Sequence, residues 1–193
     1  MLRSNRGLTM KFKLGVFLAA SAASLTLGAA AGHAAAALGQ PVIPEYGKIA
    51  PIENPHETPD PNLDYKVVVN VTKAGADGGW PPEMEKAAKV ANLLAVYGVP
   101  ANHRHIVVII QGPATNSVLS AAAMQSRGMA GVNRTADLVA KLNAAGVRVD
   151  VCSQALAAAK ILPSEVMQGI QVDLSALTTL TTLELKGYAL LSD

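Results

Sequence analysis

The sequence predicts an α/β fold, a three-layer α/β/α sandwich on a mainly parallel five-stranded sheet, and three observations predict it. Five apolar runs, at 65–71, 105–111, 147–152, 170–174 and 188–191, alternate with helix-like segments. Most runs are continuous in Val, Ile and Leu, the pattern of strands covered on both faces. The links between runs and helices are short, so right-handed crossovers return each strand parallel to the last.

Each helix carries its own punctuation. Pro81 and Pro82 suit a first turn, Ala87, Ala91, Leu94 and Ala95 recur at helical spacing, and Gly98 and Pro100 stop the helix. Asn133 can cap a helix with Leu138 and Leu142 on its apolar face, ended by Gly146. A helix-like stretch at 153–160 follows the third run directly. Ser175 can cap another, with Leu177, Leu180 and Leu183 inward and Gly187 at its end. Gly128 and Gly131 suggest a flexible loop near the sheet edge.

The ends of the chain read differently. Arg3, Arg6, Lys11 and Lys13 precede an apolar stretch at 14–31, and Ala34 and Ala36 offer the small-residue spacing of a cleavage site. Residues 1–36 are therefore expected to be a signal peptide and the protein to be periplasmic, with no stable membrane anchor after cleavage. Removing those four basic residues from the 16 leaves 12 against 14 acidic ones, a formal −2 in place of +2. A chain without a clustered basic face is no nucleic-acid partner. Residues 37–64 hold six of the 11 prolines and read as an extended arm or linker, a tether more than a subunit-wrapping strap. The domain proper occupies 65–193.

Chemistry in an open parallel sheet collects at the carboxyl ends of its strands. Asn70 and Thr72, Gln111 and Gly112, Cys152 and Ser153, and Asp173 fall there. Cys152 is the only cysteine, so no internal disulfide forms. It closes the third run just before a helix, facing unpaired N–H groups and the positive end of a dipole, a setting suited to a nucleophilic sulfur. A lone Cys in an apolar strand is also among the residues most often buried as a small hydrophobe. Its place at the strand's end tips the reading toward chemistry.

Other clusters are weaker. His103 and His105 share a face around Arg104, with no evident Cys or carboxylate to complete a metal site, and read as solvated. Gly75-Ala-Asp-Gly-Gly79 lacks the Lys and Ser/Thr of a phosphate loop and reads as a turn. Glu83 and Glu85, two apart in a first helical turn, suit the dipole and cannot face each other as a catalytic pair. Asn70-Val-Thr72 and Asn133-Arg-Thr135 match the glycosylation sequon, a short pattern common by chance.

From Lys66 onward the sequence resembles the DsrE/DsrF-like family of small sulfur-relay proteins, and especially its exported branch. The likeness rests on Lys66-Val-Val-Val-Asn-Val-Thr72, Ile106-Val-Val-Ile-Ile-Gln-Gly-Pro-Ala114, Gly146-Val-Arg-Val-Asp-Val-Cys-Ser-Gln-Ala-Leu156 and Gly187-Tyr-Ala-Leu190, the third block being the most specific. It is broken at Gln111-Gly112, where related exported sequences carry His-Gly, and at Lys160, where relay subunits carry Arg-Gly. The resemblance implies that Cys152 accepts sulfane sulfur as a persulfide and passes it to a protein partner, in a homotrimer or homohexamer. The sequence reading puts Asn70, Gln111, Gly112 and Ser153 around a substrate and expects no metal and no organic cofactor. The alternative is a non-catalytic oligomeric binding or scaffold module, favoured by the scarcity of polar catalytic groups.

Overall fold

The computed structural model describes residues 38–50, 52, 54–76, 79–129 and 131–191. The expected signal peptide lies outside the described residues. Among them, no helix is long and apolar enough to cross a membrane.

The five predicted runs form five strands: β1 (Tyr65–Val71), β2 (Arg104–Ile110), β3 (Arg148–Cys152), β4 (Gln171–Asp173) and β5 (Ala189–Leu191). Their order across the sheet is β4-β3-β2-β1-β5, and every pairing is parallel. Val68, Val69, Val108, Ile109, Ile110 and Val151 are fully buried, so the three central strands are covered on both faces as their apolar runs require. Each such side chain contributes about 2 kcal/mol of hydrophobic stabilisation.

The helices are α1 (Pro82–Val96), α2 (Ala121–Ser126), α3 (Thr135–Ala144), α4 (Ser153–Ala158) and α5 (Ala176–Leu185). α1, α3 and α4 pack on one face, burying Ala87, Ala91, Leu94, Leu138, Leu142 and Leu156 with the odd-numbered residues of β1. Among the described residues the other face is covered mainly by α5, which links β4 at one edge to β5 at the other. Its small core holds Val68, Val107, Ile109, Cys152, Ala176 and Leu183.

Between β2 and the loop that carries Gly128 and Gly131, a 3-10 helix spans Gly112–Val118, and Ser120 caps α2 by accepting from the Ala123 N–H. Asn133 caps α3 as expected, its Oδ1 accepting from the Thr135 N–H at 3.0 Å, with Arg134 in helical conformation between it and the first regular residue. In α5, Ser175 caps as expected and Leu183 is buried, but Leu177 is 75% exposed. A single helix lying on a sheet buries one stripe, and α5 is apolar on more than one.

The Pro-rich segment is an arm, and between Gly39 and Gly47 it is docked on α1. Asn92, buried on α1, accepts from the Ile43 N–H at 2.8 Å, and its Nδ2 donates to the carbonyls of Ile43, Tyr46 and Gly47 at 2.9, 2.8 and 3.1 Å. Ile43 enters the core, and the Tyr46 ring meets Trp80 edge-on at 5.1 Å. The Tyr46 hydroxyl donates to Asp137 at 2.7 Å. Gly47 turns the arm at φ +61°, against the backbone of Ala88 and Lys89.

Candidate functional site

Strand alternation sorts the carboxyl edge. Val68 and Ile109 face α5, so Asn70 and Gln111, each two residues on, face the same side, as does Cys152. Ile110 pairs with Val151, which sets Gln111 beside Cys152 one step later, and the Gln111 N–H still donates to the Val71 carbonyl at 2.9 Å. On its other side Cys152 pairs with Asp173 of β4. The edge row is thus Gln111, Cys152, Asp173.

The predicted residues separate into two groups around that row. The Gln111 Nε2 donates to the Asn70 Oδ1 at 2.8 Å, so these two amides tie the ends of β1 and β2 to each other. Gly112 follows with φ +55°, a left-handed turn that suits glycine and starts the 3-10 helix. Ser153 points the other way: its hydroxyl donates to the Leu174 carbonyl at 2.7 Å, joined by Gln154 Nε2 at 3.3 Å. These bonds hold the β4–α5 turn against the start of α4.

Cys152 is the N-cap residue of α4, and its side chain makes no capping bond. The thiol reaches the carboxyl edge without emerging there. It is 4% exposed, in a buried cluster with Val68, Val107, Ile109, and Ala176 and Leu183 of α5. The same Leu183, with Asp173, lines a neighbouring groove of about 200 Å³ that also contains Arg148, Gln171, Thr182 and Lys186. A cavity of about 240 Å³ on the opposite face, bounded by Ala114, Met124 and Thr135, is separate from the thiol's cluster.

Asp150, hidden in an apolar run, is the functional-looking residue that sequence reasoning passed over. It sits two residues before Cys152 on the same face and is fully buried. Arg148 Nε donates to its Oδ2 at 2.9 Å, while its Oδ1 and the Asp173 Oδ2 are buried with no hydrogen-bond partner. Burial pushes the Asp150 carboxyl up to about 6, opposed by Arg148 and reinforced by Asp173. The signal available was the charged pair Arg148 and Asp150 inside Val147-Arg-Val-Asp-Val151.

The remaining candidates resolve simply. Asp64 supplies the carboxylate missing near the histidines, with Oδ1 at 3.7 Å from His103 Nδ1 and 3.5 Å from His105 Nε2. Among the described residues no group of three His, Cys, Asp or Glu side chains is placed to hold a metal ion. Glu83 accepts from the Lys73 N–H at 3.1 Å and Glu85 from the Gly47 N–H, so the two acids serve different loops.

The model of the DsrE/DsrF-like family matches residues 66–192, about two thirds of the chain and all five strands. The protein belongs to the DsrE/DsrF-like family. No curated protein matches the chain in sequence. Among solved structures, this DsrE-like chain is similar to MTH1491, a protein of unknown function from Methanobacterium thermoautotrophicum, at 19% identity and a TM-score of 0.47. That match covers 66% of this chain and 98% of the other. It is also similar to the ychN protein from E. coli, at 15% identity and a TM-score of 0.45, over 66% and 99% of the two chains. Likeness at this level concerns the fold alone.

Proposed function

We propose that this DsrE-like protein is an exported sulfur carrier that takes up sulfane sulfur on Cys152 as a persulfide and delivers it to a partner. The observation that supports it is the position of the sole thiol at the turn from β3 into α4, inside the family-matched region. In the uptake step the Cys152 thiolate attacks the outer sulfur of a donor persulfide. The donor's S–S bond breaks, the donor thiol leaves with a proton, and no external oxidant is required. Sulfur transfer of this kind needs neither metal nor organic cofactor.

With Cys152 buried, this reading requires a local opening beside α5 for transfer to occur. Oligomerisation belongs to the same reading. Leu174, Leu177 and Leu185 are 73%, 75% and 84% exposed along the α5 side, which suits contact with further copies of the chain.

The same burial also favours the second reading, an oligomeric binding or scaffold module in which Cys152 only packs. Alkylation kinetics of the native protein separate the two. For a carrier, a small neutral alkylating reagent modifies Cys152 in proportion to reagent concentration and faster than the chain unfolds globally. Modification no faster than global unfolding supports the scaffold.

A further inference from the structure

Three features meet at the β4 edge. β4 is only three residues long, and it pairs with β3 through Asp150 with Gln171, Val151 with Val172, and Cys152 with Asp173. Two buried carboxylate oxygens, Asp150 Oδ1 and Asp173 Oδ2, lack any donor. The turn that follows β4 is latched by Ser153 and leads into Ala176, a member of the thiol's buried cluster.

An unsatisfied carboxylate oxygen in a water-poor site is costly, and two on facing strands repel if both are charged. One proton held between them resolves both deficits, turning a repulsive contact into a strong charge-assisted hydrogen bond. We propose that Asp150 and Asp173 share a single proton, and that this pair is a proton-dependent clasp holding β4 and the start of α5 closed over Cys152. The inference rests on the reading of Cys152 as a sulfur acceptor, because it supplies the regulation of that site.

The surroundings suit such a clasp. Asp150 neighbours Arg148 on its own strand, stands opposite Gln171 and interacts diagonally with Asp173 on β4, and the adjoining groove brings Lys186 from the end of α5. β2 contributes only Val107 and Ile109 there. Arg148 neutralises one carboxylate, so one proton is enough to settle the pair, and the Asp150 carboxyl holds it up to about 6. In acid the clasp is closed. Near neutrality the proton leaves, the β3–β4 pairing loosens at the step that contains Cys152, and the thiol becomes reachable.

Hydrogen exchange of the full chain, followed for the 171–177 peptide and corrected for intrinsic chemical exchange, tests this directly. The corrected rate is expected to rise about tenfold between about pH 5 and about pH 7.5. In Asp173→Asn the amide donates to Asp150 in place of the proton, and the rise is expected to stay below about twofold. Asp150→Asn makes the reciprocal bond to Asp173 and gives the same flat profile if the first variant does not fold. A flat wild-type profile, or an equal rise in a folded variant, overturns the clasp. Persulfide uptake on Cys152 is scored separately by mass. Uptake without a pH response removes the clasp and leaves the carrier, whereas a pH response without uptake removes the carrier and leaves the clasp.

Discussion

Cys152 and Asp173 stand opposite each other on β3 and β4, so the cysteine has a carboxylate-bearing residue as its register partner at the last paired step of the sheet. On the β2 side its neighbour is Gln111, whose amide is already bonded to Asn70. The polar partner with an unsatisfied atom is therefore on the thin edge strand, the element easiest to move.

The thiol's contribution to stability is small and separable from its chemistry. Cys152→Ala removes one atom from a cluster of six buried residues and is expected to cost about 1 kcal/mol in urea unfolding. Persulfide uptake should vanish while circular dichroism stays the same.

The arm depends on one side chain. Asn92→Ala strips the Ile43 N–H and the carbonyls of Ile43, Tyr46 and Gly47 of their partner and is expected to cost about 3 kcal/mol. Limited proteolysis should then cut within residues 38–50, whereas the parent, with the arm docked, should resist cleavage there.

The turn that seats the arm admits no side chain. A Cβ at Gly47 would meet the Ala88 and Lys89 backbone, and the φ of +61° is unfavourable to any other residue. Gly47→Ala is expected to lower thermal stability at least as far as Asn92→Ala, and in the two together the losses should fall short of additive, since both release the same segment.

Acidity should stabilise the fold across a defined window. The Asp150 carboxyl sits at about 6, above its ordinary value of 3.8, so its contribution is fully present below about 4 and is lost as pH rises through 6. For a fully buried group the change is of the order of 3 kcal/mol. Glu165 acts oppositely: bonding to Arg127 lowers it to about 2, so its contribution holds above 4.5 and fades only as pH falls toward 2. Urea midpoints between about pH 4 and about pH 7 should therefore decline for the parent and stay level for Asp150→Asn.

What the residues announce is what local pattern can carry. β1 coincides with its apolar run at both ends, because a continuous Val run has no other way to bury itself. β4 and β5 are shorter than their runs, since edge pairing stops where the single neighbour stops. The docking of the arm was not legible: it depends on Asn92, a polar residue on an apolar helix face whose four bonds reach a segment far away in sequence. The order of Gln111, Cys152 and Asp173 follows from strand sequence and register, but the burial of the thiol depends on where α5 crosses the sheet, which helical periodicity does not encode. Asp150 was masked by the Val residues around it, and only the neighbouring Arg148 hinted that a charge was being paired inside.

The carrier account is tested most directly by intact-mass spectrometry after exposure of the purified protein to a low-molecular-weight persulfide or polysulfide. It predicts one adduct of about 32 Da per chain, removed by reductant and absent from Cys152→Ala. A parent protein that gains no mass at neutral pH while remaining folded would contradict it.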